Sequence, residues 1–392
     1  MAGIDRVDSA SLVRAMLAAL ALLAGQSVCG AAAAAPRGQK HFSVTYQIDP
    51  AHDGAIHFAK GFGTPPNRLW SVTLSGYLYA KTLIAEGKVF ALYEGDGASQ
   101  IAALDLANGQ ILWQQPFGSQ IQAAYDAGVL YVVDATGQLQ AFNAGTGTPI
   151  WSQQLPATGS APPMAVDGRL YLDLPGALYA LDGATGGLLW TQPVINGDFS
   201  SPTVGSKGVY VAFPCQIYRF NAETGKPRWH LDEGSQHAGG QTAAYFNKRL
   251  YVQDSQCGNA ILDAATGTKT GTFAATRIPA LFEDDQGTGH GVSVNGGTLT
   301  GFSPDTGTTL WTFSGASIVT PPIVINGVVF VGSNMGQVYA VDGKTGAQLW
   351  STPATGDIAA VTAGEDRLVV TSGDSVNSAV TVYGPPQQNA HR

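Results

Sequence analysis

The chain alternates short apolar runs with turn-forming residues, and the segment before Trp190 shows the pattern clearly. Apolar runs at 161–166, 169–172 and 177–181 are followed by a fourth run that ends at Trp190 and Thr191. Asp167-Gly168 separates the first two runs, and Asp-Gly between apolar runs is typical of a β-hairpin. The pattern therefore predicts four consecutive short strands over residues 161–191.

This four-strand pattern recurs along the chain, and nearly every copy ends in the phrase Ala-x-Asp-x-x-Thr-Gly-x-x-x-Trp. A seventh copy keeps Thr266-Gly267 but has Gly271 where Trp is due, and an eighth, at Trp70, keeps only the end. Self-similarity at a period of about 39 residues indicates a repeat architecture. The six full copies end at Trp113, Trp151, Trp190, Trp229, Trp311 and Trp350.

The Asp, Thr and Gly of the phrase predict a corner between two strands. An Asp side chain accepts hydrogen bonds from the backbone amides that follow it, and Gly supplies the positive φ of a bulged hairpin loop. We therefore interpret Asp182, Asp263, Asp305 and Asp342 as turn residues and not as catalytic carboxylates.

A four-stranded unit with a large aromatic on its last strand cannot bury that aromatic alone. Radial packing of such units predicts an all-β, eight-bladed β-propeller with four antiparallel strands per blade. Only three strands follow Trp350, so we expect the N-terminal strand at 68–72 to complete the last blade and to remove the free sheet edge. The predicted structural wedges between blades are Trp70, Trp113, Trp151, Trp190, Trp229, Trp311 and Trp350.

The N-terminus predicts export. Arg14 precedes the apolar run 15–25, and small residues follow at 31–35, as in a secretory signal peptide over residues 1–35. The run is short for a bilayer span, so we expect a periplasmic or secreted protein with no transmembrane span after cleavage. Lipid anchoring at Cys29 is the alternative. The remaining predicted parts are a lead-in or strap at 36–66, the propeller at 67–384 and a disordered tail at 385–392.

Two cysteines remain after removal of the signal. Cys215 and Cys257 each lie ten residues before the Gly of a Thr-Gly pair, Gly225 and Gly267, and so occupy the same position in consecutive repeats. An even number of cysteines in an oxidising compartment permits one disulfide. We predict a Cys215–Cys257 disulfide, with two unpaired thiols as the alternative.

Amino-acid composition and net charge exclude one class of binding partner, but they do not indicate a reaction. Charged residues form only 12% of the chain and 50 of 392 residues are Gly, which fits many short strands joined by turns. The net charge of −8, without any basic run, argues against a nucleic-acid partner. We expect a monomer.

The repeated phrase resembles the tryptophan-docking motif of the eight-bladed quinoprotein dehydrogenases. It equally resembles the wider PQQ-like repeat family, which includes BamB-type outer-membrane assembly lipoproteins. The resemblance covers about residues 67–384. It implies a scaffold that binds another envelope or extracellular protein. The alternative is a dehydrogenase that uses pyrroloquinoline quinone (PQQ) with Ca²⁺ to oxidise alcohols or sugars.

Three features of the quinoprotein enzymes are missing from this sequence: cofactor-pocket insertions, an adjacent Cys pair and a set of calcium ligands. We therefore favour a non-catalytic binding protein without a cofactor. The densest group of acidic residues is Glu283, Asp284 and Asp285, with His290 close behind. We interpret these four residues as part of a solvated loop, and a metal or catalytic cluster is the alternative. The cluster follows the repeat that has Gly271 in place of Trp, and we expect any specialised site there.

Overall fold

Short strands, each bounded by turns, make up the fold. The computed structural model describes residues 41–386 except 60, 79–81, 96, 159–160, 196, 198–199, 235–240 and 375. The predicted signal peptide, Cys29 and the tail beyond residue 386 lie outside the described residues. Two strands come first in the chain, β1 (Ala55–Ile56) and β2 (Asn67–Ser75).

The following strands form antiparallel sheets, the blades, in chain order. In blade 1 the first strand is split, and both parts pair with the second. The strands of blades 1 to 4 are β3 (Tyr77–Leu78), β4 (Leu83–Ala85), β5 (Lys88–Glu94), β6 (Ser99–Asp105), β7 (Ile111–Pro116); β8 (Gln122–Asp126), β9 (Val129–Val133), β10 (Gln138–Asn143), β11 (Pro149–Gln154); β12 (Met164–Val166), β13 (Arg169–Leu174), β14 (Ala177–Asp182), β15 (Leu188–Pro193); β16 (Thr203–Gly205), β17 (Gly208–Phe213), β18 (Gln216–Asn221), β19 (Pro227–Asp232).

The second half of the ring repeats this order. Blade 7 gains β1 as a fifth, parallel strand beside β28. The strands of blades 5 to 8 are β20 (Ala244–Phe246), β21 (Arg249–Val252), β22 (Ala260–Asp263), β23 (Lys269–Gly271); β24 (Ala280–Glu283), β25 (Gly289–Asn295), β26 (Thr298–Phe302), β27 (Thr309–Phe313); β28 (Ile323–Ile325), β29 (Val328–Gly332), β30 (Gln337–Asp342), β31 (Gln348–Pro353); β32 (Asp357–Gly364), β33 (Arg367–Gly373), β34 (Asn377–Gly384).

Blade 8 is built from both ends of the chain. Its outer strand is β2, which pairs with β34 from Asn67 opposite Gly384 to Ser75 opposite Asn377. This confirms the predicted eight-bladed propeller and its closure by an N-terminal strand. Closure pairs the outer edge of β34, which would otherwise be a free sheet edge.

The core lies between neighbouring blades and not within any one of them. Phe90 of blade 1, for example, stacks with Tyr125 of blade 2 at a centroid distance of 6.3 Å. Inner and middle strands are therefore apolar on both faces, and every residue of β17 is buried. The outer strands instead alternate, so that one face packs on the next blade.

Each docked indole lies on the corner glycine of the following blade. Trp190 donates its Nε1–H to the carbonyl oxygen of Ala222 at 3.3 Å, and its ring covers Gly225. Gly225 has φ +70°, and a Cβ there would stand 2.6 Å from Trp190 Cδ2. Glycine is thus required for both its backbone angle and its size. The same pairing joins Trp70 to Gly109, Trp113 to Gly147, Trp151 to Gly186, Trp229 to Gly267 and Trp311 to Gly346.

Two blade interfaces depart from this arrangement. Trp350 faces blade 8, where the chain ends interrupt the corner, and it packs edge-on against Tyr383 at 5.7 Å. Gly271 leaves no indole between blades 5 and 6. There Tyr251, Phe273 and Phe302 form an aromatic cluster, with Phe273 and Phe302 stacked at 5.2 Å.

The carboxylates of the phrase build its corners. Asp182 Oδ1 accepts the amide and hydroxyl hydrogens of Thr185, both at 2.9 Å, and Asp263 and Asp342 do the same with their own Thr residues. Asp305 also lies in its corner, but its carboxylate does not accept the corner amides. Ser303 occupies the first corner position of that copy and its carbonyl accepts the Gly307 amide, whereas the Asp305 carboxylate pairs with the Arg249 guanidinium.

Antiparallel order places these corners and the turns between first and second strands at the same end of the ring. We call this end the corner face; its corners are residues 105–109, 143–147, 182–186, 221–225, 263–267, 303–307 and 342–346.

Residues 41–58, which we call the axial segment, run around the inside of the ring. The segment follows the inner strands in blade order from 8 through 1 to 7, and much of it is buried, including Ser43, Thr45 and His52. Because inner strands present unpaired backbone groups to the axis, the segment satisfies groups that would otherwise lack protein partners. The hydrogen bonds run from Glu365 N to His41 O, Ser43 N to Ile84 O, Tyr125 N to Val44 O, Thr45 Oγ1 to Pro163 O, Val204 N to Pro50 O, Tyr245 N to Ala51 O, Leu281 N to Asp53 O and Val324 N to Gly54 O.

We expect Gly225→Ala to destabilise the ring more than Gly168→Ala. Both glycines have a similar positive φ, +70° and +72°, but nothing lies near the Gly168 Cβ position. Gly168→Ala should therefore cost only the left-handed strain, about 1 kcal/mol. Gly225→Ala adds a clash with Trp190, for a total of about 2–4 kcal/mol. Urea unfolding measures both, and equal losses would show that the indole contact carries no energy.

We expect His52→Gln to lessen the acid sensitivity of the fold. Burial lowers the pKa of His52 to about 4. Because this folded-state pKa lies below the unfolded one, the neutral ring's contribution to stability is present above about pH 6.5 and is lost as the pH falls towards 4. Between pH 7 and 4.5 the variant should lose about 2–3 kcal/mol less than the parent, measured by urea unfolding at each pH. Equal losses in the two proteins would contradict this account.

Candidate functional site

A pocket of about 590 Å³ opens at the corner face, between the axial segment and blades 5, 6 and 7. Apolar strand residues form part of its wall, and charged or amide side chains from turns form the rest. The lining residues are Asp53, Ala55, Ile56, His57, Phe246, Asn247, Leu281, Phe282, Glu283, Asp284, Asp285, Val324, Asn326, Gly327 and Lys344.

The loop between β24 and β25 supplies the acidic wall. Two residues join these strands in the other blades, but blade 6 uses five, residues 284–288. Asp284 shapes the loop, because its Oδ1 accepts the amides of Gln286 and Thr288 at 3.0 and 2.9 Å. These amides, the Thr288 amide first, and His290 lower the pKa of Asp284 well below its usual range.

The structure brings the four predicted cluster residues near one another but gives them different partners. Asp284 Oδ2 lies 3.1 Å from both His290 Nε2 and Lys344 Nζ. Lys344 also lies 3.1 Å from Asp285 Oδ1 and lowers the pKa of that exposed carboxyl. Glu283 Oε1 accepts a hydrogen bond from Asn247 at 2.7 Å, across the boundary to blade 5.

His290 is not among the residues that line the pocket. Its ring stacks on Phe282 at a centroid distance of 5.1 Å while Nε2 contacts Asp284. Within the described ranges, no three His, Cys, Asp or Glu side chains are grouped so as to hold a metal ion. The cluster's metal or catalytic role therefore stays a prediction, and the geometry shows a loop that Asp284 organises.

The axial segment contributes the opposite wall. Asp53 Oδ1 accepts the Ala55 amide at 3.0 Å. Burial, and then the nearby charge of Asp49, raise the pKa of Asp53 well above its usual value. Burial also raises the pKa of Asp49 to about 6, and its Oδ1 has no hydrogen-bond partner among the described residues. His57 Nδ1 lies 3.1 Å from the Asn326 amide nitrogen at the rim.

Sequence patterns did not identify several pocket residues. Asn326 precedes a Gly in a turn between two strands, and Lys344 occupies a variable position of the repeated phrase, so neither has a signal of its own. Asp53 and His57 belong to a lead-in with no periodicity. The sequence signal for blade 6 is the copy of the phrase with Gly271 in place of Trp, followed by the acidic residues from Glu283, and it does point to this part of the ring.

The predicted disulfide is present. Cys215, between β17 and β18, bonds to Cys257, between β21 and β22, with their Cα atoms 5.3 Å apart. Asp254 supports the junction, because its carboxylate accepts the amides of Cys215 at 2.7 Å and of Cys257 at 3.0 Å. The disulfide joins blades 4 and 5. The next interface in the ring, between blades 5 and 6, is the one that has no indole.

We expect no free thiol in denatured, unreduced mature protein and two after reduction. Because 42 positions separate the cysteines, replacing both by Ser should lower the unfolding free energy by about 2–4 kcal/mol. A thiol titration and urea unfolding test these statements. Two free thiols before reduction would contradict the disulfide.

Across the described part of the chain, no helical segment has the length and apolarity needed to traverse a bilayer. Among solved structures, BamB from Moraxella catarrhalis matches 81% of this chain and 99% of its own, with 19% identity and a TM-score of 0.66. A europium-containing methanol dehydrogenase matches 88% of this chain and 98% of its own, with 13% identity and a TM-score of 0.73. At these identities the likeness shows the fold alone.

Sequence comparison assigns a family, whereas the solved structures with this fold include both BamB and a methanol dehydrogenase. Outer membrane protein assembly factor BamB of Yersinia pestis is 39% identical over 72 residues, which cover 18% of this chain and 17% of that protein. The match thus spans less than a fifth of the relative's length. A family profile described as outer membrane protein assembly factor BamB matches residues 97–174, 165–277 and 295–383, more than half of the chain. The chain therefore belongs to the BamB family of PQQ-repeat propellers.

Proposed function

We propose that this protein is an exported, non-catalytic propeller that binds another protein of the cell envelope. The relatives' name refers to outer-membrane protein assembly, and we carry this class of role to the present chain. The proposal includes removal of residues 1–35 and a periplasmic or secreted monomer, with lipid anchoring at Cys29 as the alternative form.

The axial segment is the observation that carries the proposal. It fills the end of the channel at the corner face with buried side chains such as Ser43, Thr45 and His52. Its hydrogen bonds engage all eight blades, so a ligand at this end of the axis would have to displace the chain itself. Binding is therefore assigned to the rim of turns around the segment, a surface suited to a protein partner.

We infer that the chain does not use the alternative cofactor, PQQ with Ca²⁺. The two described cysteines are joined to each other from different blades, so they form no adjacent pair. A calcium ion needs six to eight oxygen ligands. The axial segment contains two carboxyls, Asp49 and Asp53, and burial raises the pKa values of both.

We expect PQQ with Ca²⁺ to leave the melting temperature unchanged and to support no dye-linked oxidation of alcohols or sugars. A quinoprotein dehydrogenase reconstituted in parallel serves as the positive control. Dye reduction by this chain with bound PQQ would overturn the non-catalytic proposal.

Affinity capture from envelope extract then tests the binding role. The mature chain should retain one envelope protein at a constant molar ratio, also in the presence of excess unrelated soluble protein. Retention of none, with the folded chain on the resin, would contradict a scaffold role.

A further inference from the structure

The corner-face pocket carries more negative charge than its own cation neutralises. Asp53, Glu283, Asp284 and Asp285 line it, and Lys344 is the only lysine or arginine among its lining residues. Lys344 already contacts both Asp284 and Asp285. The charges of the other two carboxyls are not matched within the pocket.

Glu283 and Asp53 line the pocket from two different segments of the chain. Glu283 comes from blade 6 and is held by a neutral donor, Asn247, through Oε1. Asp53 comes from the axial segment and is surrounded by protein, yet part of its surface remains accessible. Its Oδ1 accepts the Ala55 amide. A cation at contact distance stabilises the charged form of such a densely surrounded carboxyl.

The remaining wall is apolar. Ile56, Phe246 and Leu281 line the pocket together with Phe282 and Val324. Such a wall suits the methylene stem of a long side chain, whereas a hydrated metal ion gains nothing from it. The pocket therefore combines apolar side chains with carboxyls in one lining.

We propose that this pocket receives a lysine or arginine side chain of the partner protein, with its cation between Asp53 and Glu283. The inference rests on the proposed binding function and specifies the chemistry of the contact. Electrostatic complementarity of this kind fixes the orientation of a partner and speeds its association.

The test uses the mature chain and three blocked tripeptides, acetyl-Gly-Lys-Gly-amide, its Arg counterpart and its norleucine counterpart, with CaCl₂ as a fourth probe. Norleucine keeps the apolar stem and lacks the charge. Amide chemical shifts of Asn247, Asn326 and Lys344 should move with the Lys and Arg peptides and not with norleucine or calcium.

Two variants test the carboxyls. Glu283→Gln and Asp53→Asn should each weaken binding of the Lys peptide at least about fivefold. Glu223→Gln makes the same charge change at an exposed corner of blade 4 and should leave binding unchanged. Because burial raises the pKa of Asp53, Asn at this position should fold at least as stably as the parent, which a melting curve checks.

Equal shifts with norleucine would overturn the inference, as would wild-type affinity in both carboxyl variants. Shifts with CaCl₂ alone would identify a metal site instead. Failure here is distinguishable from failure of the proposed function. Dye-linked oxidation would overturn the non-catalytic role whatever the peptides do, whereas captured envelope protein without peptide binding would overturn only the cation pocket.

Discussion

The contact of a tryptophan indole with the corner glycine of the next blade is the constraint on which the ring depends. The contacts of Trp190 show why the Trp of one copy of the repeated phrase depends on the corner residues of the next copy. The indole needs a flat surface, which Gly225 provides, and a carbonyl acceptor, which Ala222 provides in the same corner. A blade so built cannot bury its own aromatic, so each blade depends on a neighbour for its core. Stability is therefore a property of adjacent pairs, as in other repeat proteins.

The ring's departures from symmetry cluster where this contact is replaced. Between blades 7 and 8, Trp350 packs on Tyr383 because the corner is divided between the chain ends. Between blades 5 and 6, aromatic packing around Phe302 takes the indole's place, and the disulfide at Cys257 lies one interface away. Blade 6 also carries the long loop at 284–288. The candidate pocket lies beside this irregular part of the ring, where the shared phrase constrains the chain least.

Sequence reasoning succeeded where a feature repeats. The Trp period gave the blade number, the closing strand around Trp70 and the equivalent positions of Cys215 and Cys257, because each follows from register within a repeat. It did not predict the partner of Asp305, which stands two positions late in the phrase, so that Ser303 occupies the first corner position. The path of the axial segment was not predictable. Its contacts join residues as distant as Ser43 and Thr362, and no local pattern encodes such a pairing.

The path of the axial segment determines when its contacts can form during folding. Ser43 and Thr362 are separated by 319 positions, so their contact forms only after most of the chain is in place. Until then the edges of the inner strands that face the axis remain unpaired. Contacts between residues so distant in sequence form slowly. The axial segment therefore reaches its final contacts only when the inner strand of blade 8, from the other end of the chain, is available. Formation of the ring is then completed at its axis and not at its rim.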